Sequence, residues 1–128
     1  MATRVSARSG PSGLTYLCYF LVVAVVGYFG GLIGWWALPL IAALGAYVVR
    51  TDGYRLVAVG FLAGLTACGL PALLISWGNE GILAARMGAV FGGVGGAGVL
   101  IVTALLGGIS GLLGAWVGVE MANWRAKY

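Results

Sequence analysis

Positions 14–49 form a run of 36 residues without Asp, Glu, Lys or Arg, and the only strongly polar side chain in it is Thr15. As one helix the run would be about 54 Å long at 1.5 Å per residue. The hydrocarbon core of a bilayer is only about 30 Å thick. One straight crossing cannot use that length, so the run predicts a hairpin of two rather short helices. Its break lies in "GYFGGLIGWWALP", where Gly30-Gly31 loosens the first helix and Pro39 suits the first turn of the second.

The rest of the chain has the same character. Of its 128 residues 62% are hydrophobic and 8% charged, with a mean hydropathy of +1.06. Soluble domains carry roughly 25% charged residues, and one aqueous core of this size cannot enclose so much apolar surface. Lipid is therefore the expected solvent. Positions 56–77 give another uncharged run, and positions 87–119 give a third, again too long for one crossing and glycine-rich in its first third. The reading is an all-α integral membrane protein with four transmembrane helices, at about 14–30, 36–49, 56–77 and 99–119. The first two are short and form a hairpin. The segment before 14, "MATRVSARSGPSG", reads as a mobile cytoplasmic tail, and 120–128 as a basic cytoplasmic tail. No small-x-small cleavage site with a polar region behind it follows the first apolar run, so a retained span is expected rather than a signal peptide.

The basic residues choose the topology, because cytoplasmic loops of membrane proteins carry the excess of Lys and Arg. Four crossings put Arg4, Arg8, Arg50, Arg55, Arg125 and Lys127 on one side and Arg86 alone on the other. Three crossings would divide them three against four, with no bias. The expectation is a multi-pass cell-membrane protein with both termini cytoplasmic. Tyr16, Tyr19, Tyr47, Tyr54, Trp116 and Trp124 then fall near the inner interface, and Tyr28, Trp35, Trp36 and Trp77 near the outer one.

The stretch "GGVGGAG" at 92–98 contains a formal match to the dinucleotide pattern G-x-G-x-x-G, with Glu120 downstream. That pattern works only between a strand and a helix, where glycines let a pyrophosphate approach a helix N-terminus. Here the segment that follows is a membrane span, which leaves no place for a parallel sheet. No nucleotide is expected, and seven scattered basic residues do not make a nucleic-acid surface. The glycines have another use. Helices in lipid associate through small residues that let backbones approach. Ala104, Gly107, Gly111, Gly114 and Gly118 line one face of the last span, and Gly60 and Gly64 repeat the device in the third. These faces are expected to meet each other or a partner helix. The alternative is a glycine-lined pore, with 92–98 as a loop or a re-entrant segment.

Candidates for chemistry are few. The chain has no histidine, and Cys18 and Cys68 lie inside apolar runs, where a cysteine acts as a small hydrophobe. No ionisable group falls at mid-bilayer; Asp52 reads as a turn residue and Glu120 as an interfacial carboxylate. No catalytic, cofactor or metal site is expected. The segment 80–91, between the third and fourth spans, spaces Ile82, Leu83, Met87, Val90 and Phe91 as one face of a short amphipathic helix in the outer interface. Asn79 is the expected cap, and Asn79, Arg86 and Phe91 are candidate partner-docking residues.

At "GWWALPLIA", "GNEGILAARMGAVF" and "VTALLGGISGLLG" the chain resembles small polytopic membrane proteins of prokaryotes that carry no assigned activity. The resemblance implies the Trp-Ala-Leu-Pro hairpin, the outer amphipathic segment and the glycine-rich last span, and it brings no functional residue. The expected function is a non-catalytic structural or accessory subunit, homo- or hetero-oligomeric with other membrane helices. The alternative is a small oligomeric channel, transporter or holin-like pore former. Only Thr66, Ser76, Thr103 and Ser110 offer polar groups for such a path.

Overall fold

The structure, a computed structural model, describes residues 12–49 and 54–128. The first eleven residues of the expected tail, and Arg50 and Asp52 in the loop before the third span, lie outside the described residues. Among the described residues there are five α-helices and no strand: α1 (Gly13–Gly31), α2 (Ala37–Val49), α3 (Tyr54–Gly78), α4 (Ile82–Val90) and α5 (Gly95–Lys127).

The hairpin breaks where glycine and proline ask it to. At the end of α1 the amides of Ile33 and Gly34 both turn back to the Gly30 carbonyl, at 2.9 and 3.0 Å, and α2 opens with Pro39 in its first turn. The second break, between α3 and α4, is closed differently. Gly81 N donates to the Ser76 carbonyl at 2.7 Å and Glu80 N to the Trp77 carbonyl at 3.3 Å, the six-to-one and five-to-two pair of a Schellman cap. The left-handed position of this cap, usually glycine, is held by Glu80 at φ 57°. Gly81, at φ 73°, then begins α4. Asn79 is therefore not the cap of α4; it contributes only its backbone carbonyl, to Ile82 N at 3.2 Å.

Of the four expected spans, three have spanning length. Three helices, α1, α3 and α5, are long and apolar enough to cross a membrane. With 13 residues α2 measures about 20 Å, some two thirds of a bilayer's hydrocarbon thickness. In contrast α5 has 33 residues and measures about 50 Å. It begins at Gly95, so most of the stretch read as a loop or re-entrant segment forms its first turn. It also runs on through Lys127, so the segment read as a tail from 120 is helical almost to its end.

The four larger helices form a ring in the order α1, α2, α5, α3, with α2 and α3 nearly out of contact across one diagonal. Pairings fix the directions. Tyr19 lies beside Gly60 and Gly27 beside Ala67, so α1 and α3 are parallel. Pro39 lies against Gly114 and Ala43 against Gly118, so α2 and α5 are parallel to each other. Gly60 faces Ala115 while Gly69 faces Ala104, so α3 and α5 are antiparallel.

The core is built from small side chains. Ala42, Ala46, Ala63 and Ala115 have no exposed surface, and the largest fully buried side chains are Leu56 and Val23. Larger apolar groups point outward: Leu21, Val25, Leu44, Leu62, Ile101 and Leu106 are all about half exposed. In water this arrangement would be inverted; in lipid it places bulk against acyl chains and small residues between backbones. One buried polar contact crosses the core, where the Tyr19 hydroxyl donates to the Ala42 carbonyl at 2.9 Å. That carbonyl has a second lone pair beyond the one its own helix uses.

Candidate functional site: a glycine seam between three helices

The six glycines singled out from spacing, Gly60, Gly64, Gly107, Gly111, Gly114 and Gly118, are all buried. Four of them form one backbone contact between α3 and α5. A Cβ on Gly64 would run into the Gly107 carbonyl oxygen and stand 3.1 Å from Gly111 Cα. One on Gly107 would meet the Gly64 carbonyl and Cys68 Cβ, each at 2.5 Å, and one on Gly111 would strike the Gly60 carbonyl. On Gly60 it would meet Ala115 Cβ at 2.6 Å. No atom larger than hydrogen fits in these places. The carbonyls instead lie along the directions of glycine Cα–H bonds, the arrangement of weak Cα–H···O contacts at helix interfaces.

Gly114 and Gly118 serve a different neighbour. Their Cβ positions fall on the carbonyls of Pro39 and Ala43, with the Ala42 and Ala46 methyls at 2.9 and 2.8 Å. The glycine face of α5 is therefore shared, its first half by α3 and its second half by α2. Spacing gives the face; it does not reveal that a helix as short as α2 takes half of it. Tyr19, placed near an interface by the aromatic rule, is buried against the same region. Its neighbour Gly45, whose Cβ would stand 2.9 Å from the Tyr19 ring, is the small partner that could have pointed to it.

Three of the four Ser and Thr hydroxyls of α3 and α5, all but that of Ser76, turn inward to their own helices. Thr66 donates to the Leu62 carbonyl at 2.9 Å, Thr103 to Val99 at 2.9 Å and Ser110 to Leu106 at 2.8 Å. Each is the four-residue back-bond by which Ser and Thr satisfy themselves inside apolar helices. Cys18 and Cys68 are both free, and among the described residues no three His, Cys, Asp or Glu side chains gather.

The outer segment is held by small residues too. α4 docks on the start of α5 through Ala84 and Gly88, and a Cβ on Gly88 would stand 2.7 Å from the Gly95 carbonyl. Ile82, Leu83, Met87, Val90 and Phe91 remain exposed. Arg86 is exposed, two residues and so about 200° around the helix from Ala84. Phe91 is the C-cap of α4, with its backbone outside the helical region at φ −84° and ψ 29°. Asn79 sits in the preceding turn, its Oδ1 buried with no hydrogen-bond partner among the described residues. Comparison with protein-family models, with curated proteins and with solved structures finds no match to this chain.

Proposed function

We propose that the protein is a non-catalytic integral membrane subunit, a four-crossing helical module held shut by its glycine seam, with both termini cytoplasmic. The observation that carries this reading is the use of the seam. All six of its glycines are occupied by backbone or methyl groups of the same chain, leaving no lumen along that face. The back-bonded hydroxyls of Thr66, Thr103 and Ser110 support it, since a polar path would need them turned outward.

Four crossings follow from direction rather than length. α1 and α3 are parallel, so if both cross the bilayer the chain must return between them, and α2 is the helix that lies there. α4, with its large apolar side chains exposed, then rests in the outer interface. The basic residues Arg55, Arg125 and Lys127 belong to the inner side.

Two measurements test the proposal. In a background with Cys18 and Cys68 replaced, single cysteines at Ser12, Tyr54 and Tyr128 should label from the cytoplasm, and at Gly34 and Gly93 from outside. Opposite labelling of Ser12 and Tyr54 removes the four-crossing reading. Purification in mild detergent with mass spectrometry should return a stable heteromeric membrane partner. A homo-oligomer that conducts ions or solutes in liposomes would replace the subunit with a channel.

A further inference from the structure

We infer that the cleft between α2 and the last turns of α5 binds an anionic phospholipid, with an acyl chain along Leu40 and Leu44 and the phosphate on Arg125. The cleft has a volume of about 810 Å³ and is walled by Leu40, Leu44 and Tyr47 on one side and Met121, Trp124 and Arg125 on the other. It exists because the glycine contact between these helices ends at Gly118. Beyond that point α5 presents Met121 and Arg125 to the cleft, and Arg125 reaches across it to the Tyr47 hydroxyl.

Charge decides the occupant. Of the side chains in its walls one is charged, the Arg125 guanidinium, which donates to the Tyr47 hydroxyl. A guanidinium carries five N–H donors in a planar fork suited to two oxygens of one phosphate. Lys127 stands two residues on, and Glu120, the sole carboxylate of α5, is five residues back and about 140° around the helix. No acidic side chain of α5 shares the face that Arg125 turns to the cleft. Trp124 and Tyr128, in edge-to-face contact at 5.7 Å, are residue types that settle at the level of lipid headgroups. A phospholipid offers this sequence of groups: an apolar chain, a glycerol at interface depth and a phosphate. A second protein helix would fill the apolar part and leave the fork of Arg125 unanswered.

Native mass spectrometry of the delipidated, detergent-solubilised protein tests the inference, with dioleoylphosphatidylglycerol and dioleoylphosphatidylcholine as probes. The unmodified chain should retain the anionic lipid preferentially. Arg125→Gln should weaken that lipid about tenfold, the loss of one charge-assisted hydrogen bond. Leu44→Trp, at a position 57% exposed, should fill the cleft and lower the binding of both lipids. Arg86→Gln, on α4, should change neither. Equal retention of the two lipids, or unchanged binding by Arg125→Gln, overturns the inference. So does a Leu44→Trp variant that alters oligomeric mass but not lipid binding, which would assign the cleft to a second copy of the chain.

Discussion

Gly111→Ala is the smallest change that tests whether the seam holds the fold. The added Cβ would overlap the Gly60 carbonyl oxygen and stand 3.1 Å from Gly64 Cα. Both obstacles are backbone, so no side-chain rotation relieves them. The helices must separate, and separation also loosens Gly64 against Gly107 and Gly60 against Ala115. Overpacking of a tight core costs about 1–3 kcal/mol; with backbone on both sides of the clash we expect the upper half, about 2–3 kcal/mol. In a chain of this size 1 kcal/mol moves the melting temperature by about 4 °C. Gly111→Ala should thus melt about 8–12 °C below the unmodified protein in the same detergent. Leu113→Ala, which trims a side chain 47% exposed on the same helix, should melt within about 3 °C of it. The assay is tryptophan fluorescence or size-exclusion recovery after graded heating. Equal melting of Gly111→Ala and the unmodified protein would refute the packing argument, because a contact this close has no room for a methyl group.

Other changes probe single contacts. Tyr19→Phe removes the hydroxyl from the Ala42 carbonyl but leaves that carbonyl its in-helix donor, so a loss of about 0.6–1 kcal/mol is expected in thermal melts; a loss above about 3 kcal/mol would mean that the ring, not the hydroxyl, has been displaced. Glu80→Gly places glycine at the left-handed position of the α3 cap and should stabilise the protein by about 1 kcal/mol, read as a rise in melting temperature. A fall instead would show that the Glu80 carboxylate holds the outer turn. Gly88→Leu should detach α4 from the start of α5, making a cysteine at Ala84 reactive to a membrane-impermeant maleimide, while the core melts nearly as before.

Much of the helical layout was legible because lipid simplifies the pattern. Expected spans of 14–30, 36–49 and 56–77 stand against helices 13–31, 37–49 and 54–78, since each run is bounded by glycine, proline or charge. The segment 95–98 was not legible, because three of its four residues are glycine, a poor helix former. Its helical state is fixed by α4 packing on it through Ala84 and Gly88, a contact no local pattern announces. The helical end of α5 is hidden for the opposite reason: "EMANWRAK" carries three charges and reads as a tail, although most of its residues favour a helix. Which helix covers which glycine depends on tilt and register. Gly114 and Gly118 carry the same spacing signal as Gly107 and Gly111, yet meet a different neighbour. The C-terminal cleft was invisible for the same reason, being made by two helices 70 residues and more apart in the chain.

The brevity of α2 and the cleft beside it both bear on how this helix meets the bilayer. If α2 crosses the bilayer, its 13 residues leave about 10 Å of hydrocarbon unspanned. On its outer side the chain supplies Trp35 and Trp36, 88% and 51% exposed, which suit interface depth and shorten the distance a helix must cover there. On its inner side α5 continues past the last glycine contact, and its Met121 and Trp124 face Leu40, Leu44 and Tyr47 of α2 across the cleft. The bilayer can meet a short hydrophobic helix by thinning, at a fraction of a kcal/mol per Å. A lipid seated in the cleft would lie beside α2, its acyl chain along Leu40 and Leu44 and its phosphate on Arg125 near the inner end of the helix. On this argument the inner half of α2 and the basic end of α5 act together: bulk added on the cleft face of α2, as in Leu44→Trp, would close the cleft and remove the reason for Arg125 to face it.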